Sequence, residues 1–125
     1  MSDSTEPTNR FASNLRQTEA PNEKTLRIKV SSLKRTIKDL EFAKREVERE
    51  QQRLEGYRQN DSDRVSQQAK VLDEAKMMVP DSVNRIMASL KDLSSYLEKE
   101  GSTVSNEELL ELARAAISDG QAAVA

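Results

Sequence analysis

Histidine, cysteine and tryptophan are absent from this sequence, and its 125 residues include only three glycines and three prolines. Without histidine or cysteine the commonest general base and the thiolate nucleophile are both missing. The carboxylates are plentiful but interleaved with lysine and arginine on solvated faces, so enzymatic activity is not expected. Gly56, Gly101 and Gly120 stand apart from one another, so there is no glycine-rich loop to cradle a phosphate. Neither a metal nor a cofactor is expected. The lack of cysteine removes disulfides as a source of stability and fits a reducing compartment. Aromatic residues number four (Phe11, Phe42, Tyr57 and Tyr96), and hydrophobic residues make up 35% of the chain against 34% charged. Such a composition cannot fill a thick globular centre, whereas elongated helices suit it.

Long apolar runs are missing too. No stretch approaches the roughly 20 apolar residues of a membrane-spanning helix, and residues 1–23 have no apolar core of the kind a signal peptide needs. Asp3, Glu6, Glu19 and Glu23 argue against a transit peptide, which is acid-poor. The expected location is cytoplasmic, with no membrane partner. Net charge is only −2, so the molecule as a whole has no field that attracts nucleic acid. The charge is unevenly spread: residues 26–58 are basic and the remainder is acidic.

What is present is heptad patterning. Residues 1–24 are polar, contain Pro7 and Pro21 and lack periodicity, which predicts a disordered extension, of which residues 1 to about 22 are expected to be dispensable for folding. From Leu26 the apolar steps of four and three run Leu26, Val30, Leu33, Ile37, Leu40, Lys44, Val47, Gln51, Leu54, predicting a helix over about 25–58 with Lys44 and Gln51 in its seam. Gly56 and the polar run to Asp63 break the pattern, and Asp61 or Ser62 is the expected N-cap of the next helix. A second heptad over about 62–100 runs Val65, Ala69, Leu72, Lys76, Val79, Val83, Ile86, Leu90, Leu93, Leu97. Pro80 interrupts its hydrogen bonding but not its phase, which predicts one helix kinked there rather than two. Gly101 ends it. Ser105 and Glu108 form a capping box, with Val104 and Leu109 at staple positions. The third helix is expected over about 106–119, with Leu109, Leu112, Ala113, Ala116 and Ile117 inward, Gly120 as its C-terminal cap, and a short tail over 121–125.

Pairing the first two helices antiparallel places Ile37 opposite Ile86 and Leu33 opposite Leu90. The expected fold class is therefore all-α: an elongated antiparallel three-helix bundle built on a coiled-coil-like hairpin, its third helix reaching from the open end only about as far as Pro80.

Two segments then resemble the tubulin-specific chaperone A (tubulin folding cofactor A) family. One is Ile28-Lys29-Val30-x-x-Leu33-Lys34-Arg35-x-x-Lys38-Asp39; the other is Gln68-x-x-Val71-Leu72-Asp73-Glu74-x-Lys76-Met77-Met78-Val79-Pro80-Asp81, with a shorter echo at Ala113-Arg114 and Ile117. The Met-Met-Val-Pro-Asp run is the most specific part, because a coiled coil has no generic reason to keep a proline there. The chain departs from the family in its longer N-terminal extension and in Ala43 following Phe42. The resemblance implies a chaperone that holds quasi-native β-tubulin after chaperonin release and passes it toward heterodimer assembly without ATP, as a monomer or weak homodimer, with other tubulin-folding cofactors as further partners. Rival readings are a coiled-coil adaptor, a prefoldin-like holdase and a basic nucleic-acid-binding protein.

The expected partner-binding residues are Lys34, Arg35, Lys38, Phe42, Met77, Met78, Pro80 and Asp81. The basic members suit an acidic partner or a solvated face. Phe42, Met77 and Met78 lie off the seam, either covered by the third helix or exposed as adaptable apolar contacts.

Overall fold

The computed structural model describes residues 19–125, so the expected extension lies largely outside the described residues. It contains α1 (Pro21–Gln59), α2 (Val65–Glu100), a single 3₁₀ turn (Gly101–Thr103) and α3 (Glu107–Val124). The molecule is the all-α antiparallel three-helix bundle its heptads predict.

α1 starts four residues earlier than expected. Pro21 stands at its first turn, where proline's missing N–H is an unpaired donor in any case, so Pro21 opens the helix rather than belonging to an extension. This first turn is tied to the far end of α2. The Asn22 amide donates to the Thr103 hydroxyl oxygen at 2.6 Å, the Tyr96 hydroxyl donates to the Asn22 carbonyl at 3.1 Å, and the Ser105 hydroxyl donates to Glu23 at 3.2 Å. Asn22 and Glu23 therefore tie the first turn of α1 to the open end of the bundle.

The other end closes differently from the expectation. Gly56 does not stop α1, which runs on to Gln59 and terminates in a Schellman arrangement: the Asp61 N–H donates to the Arg58 carbonyl and the Ser62 N–H to the Tyr57 carbonyl. Asp61 takes the left-handed conformation this motif requires, with φ of 50°. Asp61 thus caps α1, and α2 begins after Arg64, whose N–H is received by the Ser62 hydroxyl. α2 then runs unbroken through Pro80.

At the start of α3 the cap is Asn106, whose side-chain oxygen accepts from the Leu109 N–H at 3.1 Å. The Ser105 hydroxyl, expected to fill that role, is drawn instead to Glu23 across the bundle. α3 buries Leu109, Leu110, Ala113, Ala116 and Gly120, while Leu112, assigned inward from the sequence, is exposed. Gly120 is not a cap. It sits inside α3, which continues to Val124, and a Cβ there would lie 2.8 Å from the end of Leu90 and 3.3 Å from Leu33. Leu33 and Leu90 therefore share a layer, as the antiparallel register predicts, and Gly120 lets α3 approach that layer closely. Gly120→Val should destabilise the protein by about 1–3 kcal/mol through overpacking, despite valine's better helix propensity. A thermal midpoint equal to wild type would show that the layer repacks freely.

The core is concentrated at the three-helix end, where Leu26, Leu33, Ile86, Leu93 and Ala113 are fully buried. Toward the turn the seam departs from the sequence reading. Lys44, Gln51 and Lys76 are exposed, and the inward positions fall one residue earlier, at Ala43, Glu50 and Ala75. Gln68 and Ser82 are buried as well. Small side chains and one polar pair, rather than buried lysines, keep this half of the rod thin. In that pair the Gln68 amide donates to both the Glu50 carboxylate at 2.8 Å and the Glu50 carbonyl at 3.0 Å.

Candidate functional site

Where α3 no longer covers the hairpin, α1 and α2 form a shallow groove of about 190 Å³. Its apolar walls are Phe42 from α1 and Met78 from α2. The groove lies between them because the inward neighbours Ala43 and Ser82 are too small to fill the space. Asp39, Glu46, Asp81 and Arg85 form the rim, and Arg85 is paired with Asp81 at 3.2 Å one turn away. No residue of α3 lines the groove.

Of the sequence-assigned residues, the structure brings Phe42, Met78 and Asp81 together. Phe42 is 58% exposed and Met78 is 56% exposed, so the third helix does not cover them. Met77 is more exposed still, at 71%, but it is outside the groove lining, as is the exposed Pro80 beside it. Lys34, Arg35 and Lys38 are exposed on α1 outside the groove lining and make no ion pair with another described residue. Their neighbour Lys29 is different: it reaches across to α2, pairing with Asp92 at 2.8 Å with its ammonium 5.5 Å from the centre of the Tyr96 ring. Lys29 therefore fastens the hairpin.

Sequence reasoning missed Arg85, Glu46, Ala43 and Ser82. The only available signal was negative, namely small residues at inward positions flanked by exposed large apolar ones. A wider depression near the open end, between Leu97, Val104, Leu110 and Arg114, includes none of the residues assigned to partner binding from the sequence. Among the described residues no cluster of acidic side chains could hold a metal ion, and no helix is long and apolar enough to cross a membrane.

The groove presents apolar surface rimmed by charge, which suits contact with a protein surface. The family model described as tubulin binding cofactor A matches residues 21–117. The crystal structure of recombinant tubulin-binding cofactor A from Leishmania major is 81% identical, covers 86% of this chain and all of its own, and superposes with a TM-score of 0.80. Tubulin folding cofactor A from Arabidopsis thaliana is 32% identical in its crystal structure, covering 80% of this chain and 95% of that one, with a TM-score of 0.73. Human tubulin-specific chaperone A is 30% identical over 82 residues, 64% of this chain and 76% of its own length.

Proposed function

This chain belongs to the tubulin binding cofactor A family, and on that premise we propose that it holds β-tubulin in a quasi-native state after chaperonin release. In this reading it works in the cytosol, without nucleotide, and passes β-tubulin on toward assembly of the α/β heterodimer. The observation that carries the placement of the site is the pair Phe42 and Met78, large, exposed and facing one another across a groove that α3 leaves open. A client surface laid there would bury both, and methionine's flexible thioether adapts to a partner of imperfect shape. Lys34, Arg35 and Lys38 act at longer range, steering an acidic partner and raising the association rate.

Capture of purified β-tubulin on the immobilised chain tests this. Met78→Ser should weaken capture at every salt concentration, by about tenfold if the side chain is a central contact. Met77→Ser, outside the groove, should weaken it less. Reversing Lys34 and Arg35 to glutamate should weaken capture most at low salt, where charge is least screened. Loss of capture on changing the Asn60-to-Asp63 turn, with Phe42 and Met78 replaceable at no cost, would move the site to the tip of the rod.

A further inference from the structure

α1 carries a second surface that shares only Phe42 with the groove. Ile28, Arg35, Phe42 and Arg49 recur every seven residues and all four are exposed. At 1.5 Å of rise per residue they form one row along the outward side of the helix, with about 10 Å between neighbours. The row alternates apolar and cationic residues, and its apolar members Ile28 and Phe42 are 59% and 58% exposed. Lys38 and Arg45, also exposed, lie in the adjoining row. Arg35, Lys38 and Arg45 make no ion pair with another described residue, whereas Arg49 is paired with Glu46. A face that served only to solvate the rod would have no use for two large apolar side chains placed in phase with its arginines.

From this pattern we infer that the outward face of α1 docks an acidic amphipathic helix of the partner. Apolar side chains of that helix meet Ile28 and Phe42, and its carboxylates meet Arg35, Lys38, Arg45 and Arg49. The inference rests on the function proposed above and adds which kind of element in the partner is bound. The spacing selects a helix. Seven residues of helix also rise about 10 Å and return to the same face after two turns. A strand covers that distance in about three residues, an odd number, which turns the side chain to the opposite face. Arginine's fork binds carboxylates bidentately, so a partner with carboxylates at this interval is held in register as well as attracted. Nucleic acid would satisfy the cations but has no apolar counterpart for Ile28, and one aromatic residue in the row provides no stacking series.

The test uses the full chain with a photo-reactive amino acid at Ser31, exposed and one turn from Ile28, so that the row itself stays intact. Irradiated with purified β-tubulin, it should cross-link to a helical segment in which Asp and Glu outnumber Lys and Arg. Ile28→Ser, about 21 Å from Phe42 along the helix, should weaken capture by about fivefold or more. A wild-type chain that captures no β-tubulin overturns the proposed function and this inference with it. Capture that stays sensitive to Met78→Ser, but gives no cross-link from Ser31 and is indifferent to Ile28→Ser, overturns this inference alone. So does a cross-link to a strand or a basic segment, or single-stranded RNA binding that disappears on Arg35→Glu.

Discussion

Replacing Ile86 with alanine should lower the free energy of unfolding by about 3–5 kcal/mol, while the same change at Ile37 should cost roughly half as much. The two were assigned to one layer as equivalents, but their surroundings differ. Ile86 has no solvent exposure and lies within the principal core cluster, whereas Ile37 is only partly buried and packs against that cluster from its edge. Removing three carbons from Ile86 leaves a cavity walled by two or three helices that cannot all close in. At Ile37 the edge can relax and admit water. A domain of this size has a total stability of about 5–15 kcal/mol, so Ile86→Ala removes a large share of it. Urea unfolding followed by circular dichroism measures both changes. Equal losses, or a larger one at Ile37, would show that the layer is centred nearer α1 than the burial indicates.

The three-helix architecture and the antiparallel register were legible because strong signals agreed along the whole length. Leu26, Leu33, Leu40, Val47 and Leu54 keep a strict spacing of seven, and all are buried or partly buried. The companion row was misread where it became weak. A seam keeps its phase only where large apolar side chains hold it. At 44 and 51 there are none, and the seam slips to Ala43 and Glu50. The same slip moves it from Lys76 to Ala75 on α2. Burying a lysine in a layer with no counter-charge is costly, whereas turning it outward by one residue costs little when alanine stands next to it. Boundaries failed for another reason. Pro21, Gly120 and Ser105 each have two ordinary uses, and the choice was made by contacts distant in sequence: Thr103 and Tyr96 with Asn22, Leu33 and Leu90 with Gly120, Glu23 with Ser105. The candidate groove follows the same logic. Phe42 and Met78 could be named from the sequence as off-seam residues, but their facing one another depends on the slip that leaves Ala43 and Ser82 between the helices.

The slip also creates the polar layer with the second large expected effect. Gln68→Leu should destabilise the protein by about 2–4 kcal/mol, whereas Glu50→Leu combined with Gln68→Leu should be close to neutral or stabilising. Glu50 is 6% exposed and Gln68 likewise 6%, and the Gln68 amide is the donor to the inner carboxylate oxygen of Glu50. Arg53 reaches only the other oxygen, at 3.3 Å, and is itself 60% exposed. Removing Gln68 therefore leaves a buried carboxylate short of a donor with an apolar side chain pressed against it. Removing both partners converts the layer into an ordinary leucine layer and forfeits only a solvated ion pair, which is worth little. A double-mutant cycle by urea unfolding should give a coupling energy above about 1 kcal/mol; additive losses would mean the two side chains do not depend on one another. The double variant has a second consequence for the thin half of the rod. A single polar layer in an apolar seam fixes register and partner number at some cost in stability, and here it is the only buried polar pair among the described residues of the hairpin. The Glu50→Leu/Gln68→Leu protein should therefore be at least as stable as wild type yet show a higher apparent mass on sedimentation at high concentration. A variant that stays at wild-type mass would assign register control to the turn at Asp61 and the Lys29–Asp92 bridge instead.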